Sequence, residues 1–258
     1  MSRFPFDAVL FDCDGVLVDS EPLVARVLSE MLTARGWALT PAQAGEVFLG
    51  QSVAHLAGLI AERTGKPFTE EWLEEFRQQR NRALERDLEP IQGAPEAVRA
   101  IAAATGGRIA CASGADLFKV KLQLGKVGML DAFGNNVFSG QDMPRTKPHP
   151  DVYLAAAAAL GVDPTRCAVI EDTVTGATAG VAAGATVFGF SEGGPHHSTP
   201  EALRAAGAKV IFQRMEQLPA LLAAYAADVA AWGGLSPQRP VRRCGVSRRN
   251  AARTGTGQ

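Results

Sequence analysis

The sequence predicts an α/β protein, a parallel sheet covered on both faces, with a helical block inserted after the first strand. Three observations predict it. Beyond Gly93, short apolar runs alternate with helical stretches, the pattern of strands joined by helical crossovers. The first apolar run, at 7–12, is separated from the others by helical periodicity through residue 86. Several runs end in acidic or hydroxyl residues, and in open α/β sheets ligands bind at the carboxyl ends of the strands.

Residues 7–12 are apolar, then close in acids and Gly15, and read as a buried strand. Residues 21–86 are interrupted at Gly36, Thr40-Pro41, Gly50 and Gly65-Lys66-Pro67, which divides them into about four helices. In the last of these, from residue 70, acids lead and arginines follow at helical spacing, the mark of a solvated face. Helices are then expected at 94–104, 116–127, 150–160, 174–183, 200–206 and 215–231. The intervening strands are expected at 108–112, 136–139, 166–170, 186–190 and 209–212. No internal repeat is visible.

Of the 258 residues, 47% are apolar and 21% charged, which excludes a disulfide-stapled miniprotein and a wholly disordered chain. No apolar run approaches the ~20 residues of a membrane span, and a net charge of −1 argues against a strongly basic nucleic-acid binder. That total hides an asymmetry. Residues 233–258 hold six arginines and no acid, which leaves 20 basic against 27 acidic residues elsewhere, a balance of −7. This end has no periodicity and is expected to be a disordered basic tail without a selected partner. The first seven residues lack the apolar core of a signal peptide. Cys13, Cys111, Cys167 and Cys244 form no C-x-x-C pair, and the first three lie in apolar runs. They read as buried thiols in a reducing cytoplasm.

The chemistry gathers at the strand ends. Asp12-Cys13-Asp14-Gly15 follows the first run, Ser113-Gly114 the second, and Glu171-Asp172 a later one; Thr146-Lys147-Pro148 precedes a helix. Asp12 and Asp14 lie two apart, so in extended chain both side chains leave one face. Close carboxylates raise each other's pKa and tolerate one another when a cation neutralises one and the other carries a proton. With Glu171 and Asp172 they make an all-oxygen cluster suited to Mg²⁺. Lys147, the Ser113 hydroxyl and N–H groups of Ser113-Gly114 at a helix start would hold phosphate oxygens. Together these point to phosphoryl transfer. His196-His197 sit in a Gly/Pro/Ser/Thr loop with no third ligand evident, so they carry no metal role.

Four segments resemble, in order and spacing across about residues 7–212, the haloacid dehalogenase-like hydrolases. They are the stretch from Phe11 to Ser20, Ala112-Ser113-Gly114, Thr146-Lys147-Pro148-His149-Pro150, and Ile170-Glu171-Asp172-Thr173 with Gly176. The resemblance implies a Rossmann-like parallel sheet core, ordered 5-4-1-2-3, over residues 1–17 and 89–232. It also implies an inserted α-helical cap domain at 18–88, closing over the site. It implies Asp12 as the nucleophile that becomes an aspartyl phosphate, and Asp14 as the group that protonates the leaving oxygen and then activates water. Mg²⁺ would be held by Asp12, the Asp14 main-chain carbonyl and Asp172, with Glu171 as a ligand bound directly or through its neighbours. Ser113, Gly114 and Lys147 would bind the phosphoryl group.

Asp14 separates the chain from dehalogenases and phosphonate-cleaving members, which lack that acid. The family's sugar-phosphate mutases carry a His and a cap-loop Arg where this chain has Val24 and Gly50-Gln51-Ser52. The expected activity is hydrolysis of a small phosphate ester, a sugar phosphate or phosphorylated sugar acid such as 6-phosphogluconate. A β-phosphoglucomutase-like mutase is the alternative, and a non-enzymatic phospho-acceptor module a third reading. Gln51, Ser52 and His55 after Gly50, and Arg145 as a bidentate donor to a substrate carboxylate, are the candidates for substrate choice. The chain is expected to be a monomer or weak homodimer, with no nucleic-acid or membrane partner.

Overall fold

The computed structural model describes residues 4–48, 51–193 and 197–232, with side chains to 225. The 233–258 tail and the Gly50 break lie outside the described residues. Six strands make one sheet: β1 (Ala8–Phe11), β2 (Ile109–Ser113), β3 (Val137–Ser139), β4 (Cys167–Glu171), β5 (Thr186–Phe190) and β6 (Val210–Phe212). All pairings are parallel. Their order is β3-β2-β1-β4-β5-β6. Read from the other edge, this is the implied 5-4-1-2-3 order with a sixth strand beside β5. β1 is central, so its carboxyl end meets those of β2 and β4.

The strands alternate between two cores. Val9, Phe11, Ile109, Cys111 and Ile170 pack on one face. Ala8, Leu10, Ala110, Ala112 and Val169 pack on the other. Both faces are buried, so the strands read as continuous apolar runs rather than an in–out pattern. Over the first face lie α5 (Ala94–Thr105), α6 (Leu117–Lys126), the short α7 (Leu130–Phe133) and α11 (Leu218–Trp232). Over the second lie α8 (Asp151–Ala159), α9 (Val174–Ala182) and α10 (Pro200–Ala205). α7 is a single turn, too short to leave a periodic signal.

Between β1 and α5 come α1 (Glu21–Ala34), α2 (Pro41–Phe48), α3 (Ala57–Thr64) and α4 (Glu70–Asp87). They share a core of their own that includes Leu28, Leu32, Phe48, Ile60, Trp72 and Phe76. Thr69 caps α4 by accepting the Trp72 N–H, and acids occupy its first turn and Arg86 its last, matching the helix dipole. The charged pattern of α4 describes only one side of it. Trp72, Leu73, Phe76, Ala83 and Leu84 form a buried stripe, and Arg80 is buried with them. The connections into and out of this block run side by side. Val18 bridges Pro90, and the Asp19 N–H donates to the Glu89 carbonyl at 3.1 Å.

Candidate active site

Asp12 follows the last residue of β1, and its N–H donates to the Ile170 carbonyl of β4 at 3.0 Å. That bond sets its carboxylate beside Glu171, the last residue of β4. Lys147 joins the two, its Nζ 2.9 Å from Asp12 Oδ1 and 2.6 Å from Glu171 Oε1. Glu171 is fully buried and saturated. Tyr153 OH donates to its Oε1 at 2.6 Å, and the Thr173 N–H and hydroxyl donate to Oε2 at 3.3 and 3.1 Å.

Asp172 completes the group. Oxygens of Asp12, Glu171 and Asp172 lie within 4.8 Å of one another. Two glycines permit the crowding. A Cβ on Gly15, whose φ is +71°, would stand 2.3 Å from Asp172 Oδ2, and one on Gly176 would stand 1.7 Å from Glu171 Oε1. Three buried carboxylates share one lysine. Burial, then the neighbouring acids, push Asp12 and Asp172 well above the ordinary carboxylate range, with Lys147 pulling the other way. Burial disfavours the Lys147 ammonium, but Asp12 and Glu171 outweigh it and hold its pKa well above the usual lysine value. Among the described residues, Asp172 Oδ1 has no hydrogen-bond partner, though it is buried. An orphaned carboxylate oxygen in an acidic, all-oxygen cluster fits a hard divalent cation.

Asp14 departs from the geometry expected of extended chain. The strand ends at Phe11, and the chain turns at Gly15, whose N–H donates to the Val18 carbonyl at 2.9 Å. The Asp14 side chain therefore joins a separate set of partners. Lys119 Nζ and Gln123 Nε2 each donate to its Oδ1 at 2.7 Å, and Ser20 Oγ at 2.5 Å. Burial works against the charge, but Lys119, Ser20 and Gln123 hold its pKa down to about 2. The two aspartates are thus split by their surroundings, Asp12 raised and Asp14 lowered.

Ser113 ends β2 and is buried. It is not a helix cap. Its Oγ accepts the Ala115 N–H at 3.1 Å, whereas α6 is capped by Asp116. The N–H groups of Ser113 and Gly114 accordingly belong to a loop ahead of the helix rather than to its first turn. Gln51, Ser52 and His55 are exposed, and Ser52 Oγ accepts the His55 N–H at 3.2 Å in a local turn. Arg145 grips Asp151 through Nε at 3.4 Å and Nη2 at 3.0 Å. Among the described residues, none of these four touches the carboxylate cluster.

Several groups at the site were not singled out from the sequence. Lys119 and Gln123 flank the apolar Val120/Leu124 stripe of α6 at i, i+4 spacing, a pair of polar side chains on one buried face. Tyr153 is the one hydroxyl on the alanine-rich α8, and a buried tyrosine needs a partner for its O–H. His197, named from the sequence only to be set aside as a metal ligand, stands with Nδ1 3.6 Å from Asp172 Oδ2 and its ring edge-on to Phe190. Only the fold brings that loop to the acids. Burial lowers its pKa. His196 lies outside the described residues.

Comparison with known proteins agrees with this arrangement. The model of the haloacid dehalogenase-like hydrolases matches residues 6–184, which span the ends of β1, β2 and β4. The chain is 33% identical over 232 residues to the 6-phosphogluconate phosphatase of Escherichia coli K12, across 90% of this chain and 100% of that one. It is 32% identical over 178 residues to hexitol phosphatase B of the same strain, across 68% of this chain and 79% of the other. A crystal structure of a HAD family hydrolase from Deinococcus radiodurans R1, with bound phosphate and sodium, matches at 36% identity. Its TM-score is 0.71, over 87% of this chain and 98% of that one. The sheet, the acidic cluster and these likenesses converge: the chain is an enzyme of the haloacid dehalogenase-like hydrolase family, on the side of it that phosphatases occupy.

Proposed function

We propose that the protein hydrolyses a small phosphorylated metabolite, a sugar phosphate or phosphorylated sugar acid, through an aspartyl phosphate on Asp12. The observation that carries this is the division between the two aspartates. Asp12 is bound to Lys147 within the carboxylate cluster, and Asp14, two residues on, is held apart by Lys119. This division supports a reading in which Asp12 is the nucleophile and Asp14 the proton carrier.

An Asp12 oxygen attacks phosphorus, the P–O bond to the substrate breaks, and the leaving oxygen takes a proton from Asp14. Water then attacks the phosphorus of the aspartyl phosphate and gives its proton to Asp14, releasing phosphate and the Asp12 carboxylate. The depressed pKa of Asp14 suits this second step. The first step needs Asp14 protonated, and a phosphoryl dianion arriving beside it raises its pKa in that direction. Lys147, the Ser113 hydroxyl and the Gly114 N–H are the donors to the phosphoryl oxygens. Mg²⁺ would be held by Asp12, Asp172 and the Asp14 main-chain carbonyl, with Glu171 as a direct or outer ligand. When bound, it supplies charge neutralisation at the phosphoryl group.

The cap, residues 18–88, closes over the core formed by 1–17 and 89–232 and excludes water. Gln51, Ser52 and His55 are assigned to substrate choice, as is Arg145, which must first release Asp151. A cytoplasmic setting agrees with Cys13, Cys111 and Cys167 being buried free thiols, and no described helix is long and apolar enough to cross a membrane.

The test is phosphate release with Mg²⁺ from a panel of phosphorylated metabolites that includes 6-phosphogluconate and hexitol phosphates. Asp12→Asn should abolish it. Full turnover by Asp12→Asn would refute the mechanism, and interconversion of sugar phosphates without free phosphate would make the protein a mutase.

A further inference from the structure

We propose that Lys119, with Gln123, is a positioning residue for Asp14: together they hold Oδ1 of its carboxylate and so fix the orientation in which Oδ2 meets the substrate. The inference rests on the phosphatase reading above.

Lys119 is buried, with its side chain 9% exposed, and its Nζ bonds Asp14 Oδ1. A lysine in that position is retained only when it is paired. Gln123 lies one turn further along α6 and is fully buried. Its orientation is fixed at both ends, since Oε1 accepts from Cys13 Sγ at 3.6 Å while Nε2 donates to Asp14. A flipped amide would set its oxygen against the carboxylate. With Ser20, three donors converge on one oxygen of Asp14. Among the described residues none donates to Oδ2. Three donors on one oxygen fix the rotation of the carboxylate, and the asymmetry leaves Oδ2 as the oxygen open to the substrate.

The lever is anchored. Asp116 Oδ1 accepts the Lys119 N–H at 2.8 Å, and Asp116 Oδ2 is paired at 3.0 Å with the buried Arg80 of α4. The first turn of α6 is therefore gripped from the helical block. The division of lysines is also clear. Among the described residues, Lys147 binds Asp12 and Glu171, and the Lys119 ammonium binds only Asp14.

The test is a double-mutant cycle of Lys119→Met and Asp14→Ala with Mg²⁺ on two probes, phenyl phosphate and p-nitrophenyl phosphate. Lys119→Met should lower kcat on phenyl phosphate about tenfold or more, with KM changed less than about threefold. The loss should be smaller on p-nitrophenyl phosphate, whose leaving group needs little protonation. In the Asp14→Ala background, Lys119→Met should change kcat by less than about twofold. Lys119→Arg, which keeps the charged donor, should recover most of the rate. If Lys119→Met does not fold, Gln123→Leu takes its place in the same cycle. An equal loss on both esters that persists without the Asp14 carboxylate would overturn the inference, because it would mean that Lys119 acts on the phosphate or the fold. Absence of phosphate release by the wild type, from these esters and from the metabolite panel, would refute the phosphatase reading instead.

Discussion

Gly176→Ala is the sharpest probe of the carboxylate cluster, because it adds one methyl group beside one defined atom. Gly176 lies in the first turn of α9, where its N–H bonds the capping Thr173. Its new Cβ would stand 1.7 Å from Glu171 Oε1 and 1.9 Å from Cδ. Non-bonded carbon contacts need about 3.5 Å or more, so Glu171 must move by more than 1 Å or so. Oε1 is the oxygen that takes the two 2.6 Å bonds, from Lys147 and Tyr153. Breaking a buried ion pair by displacing one partner costs about 3–5 kcal/mol, and replacing a helical glycine by alanine returns at most about 1 kcal/mol. The net destabilisation is about 2–4 kcal/mol, a large share of the ~5–15 kcal/mol that holds a folded protein. Urea unfolding followed by circular dichroism in EDTA should show the midpoint falling by about 1–2 M, and phosphate release should fall with it. Gly125→Ala is the control. That glycine is exposed near the end of α6, and the nearest atom to its new Cβ is Leu130 Cδ2 at 3.9 Å. It should be neutral or slightly stabilising. If Gly176→Ala unfolds with Gly125→Ala and keeps full turnover, Glu171 is not the fixed anchor described here.

Three other outcomes follow from the charges. Asp14 titrates at about 2 in the folded chain against an ordinary 3.8, so its contribution is complete above pH 3.8 and lost as pH falls towards 2. At about 1.4 kcal/mol per pH unit this is on the order of 2 kcal/mol, and the stability gap between wild type and Asp14→Asn, measured in urea without metal, should close over that window. Glu21 has the opposite sign. Burial, then the Asp14 charge, raise its pKa from 4.5 to about 7, so its proton is lost at a cost as pH rises between those values. Glu21→Gln should match wild type below pH 4.5 and exceed it above pH 7 by about 3 kcal/mol; a variant weaker than wild type above pH 7 would refute this. Mg²⁺ at about 100 times its dissociation constant should stabilise the wild type by about 2.7 kcal/mol, read as a shift in the urea midpoint, and Asp172→Asn should remove that shift.

Much of the fold was legible because both faces of the sheet are covered. Apolar runs such as 7–12 and 166–170 have no other stable use when they alternate with helices. The breakers between Gly36 and Pro67 divided the inserted block for a similar reason, since proline and glycine end helices locally. α7 left no such mark, and the charge pattern of α4 concealed the buried Arg80. The sequence placed Asp12, Glu171, Asp172 and Lys147 at one edge because a strand end is a position along the chain. It did not foretell the partners of Asp14, because shared-face spacing holds only in extended chain, whereas this strand ends at Phe11 and the chain turns at Gly15.

The sequence by itself determined the parallel α/β architecture, the helical insertion and the family, all of which follow from local pattern and short motifs. It also determined which residue types meet at the strand ends. The tertiary structure decided how the charges are partitioned. Lys147 goes to Asp12 and Glu171, 135 and 24 residues away, and Lys119 to Asp14, 105 residues away. His197 comes to Asp172, and Arg145 goes to Asp151 rather than to the acids. Pairing across such separations depends on which helices close over which strand ends. Once water is excluded there, each buried charge must take whichever partner the packing brings within reach.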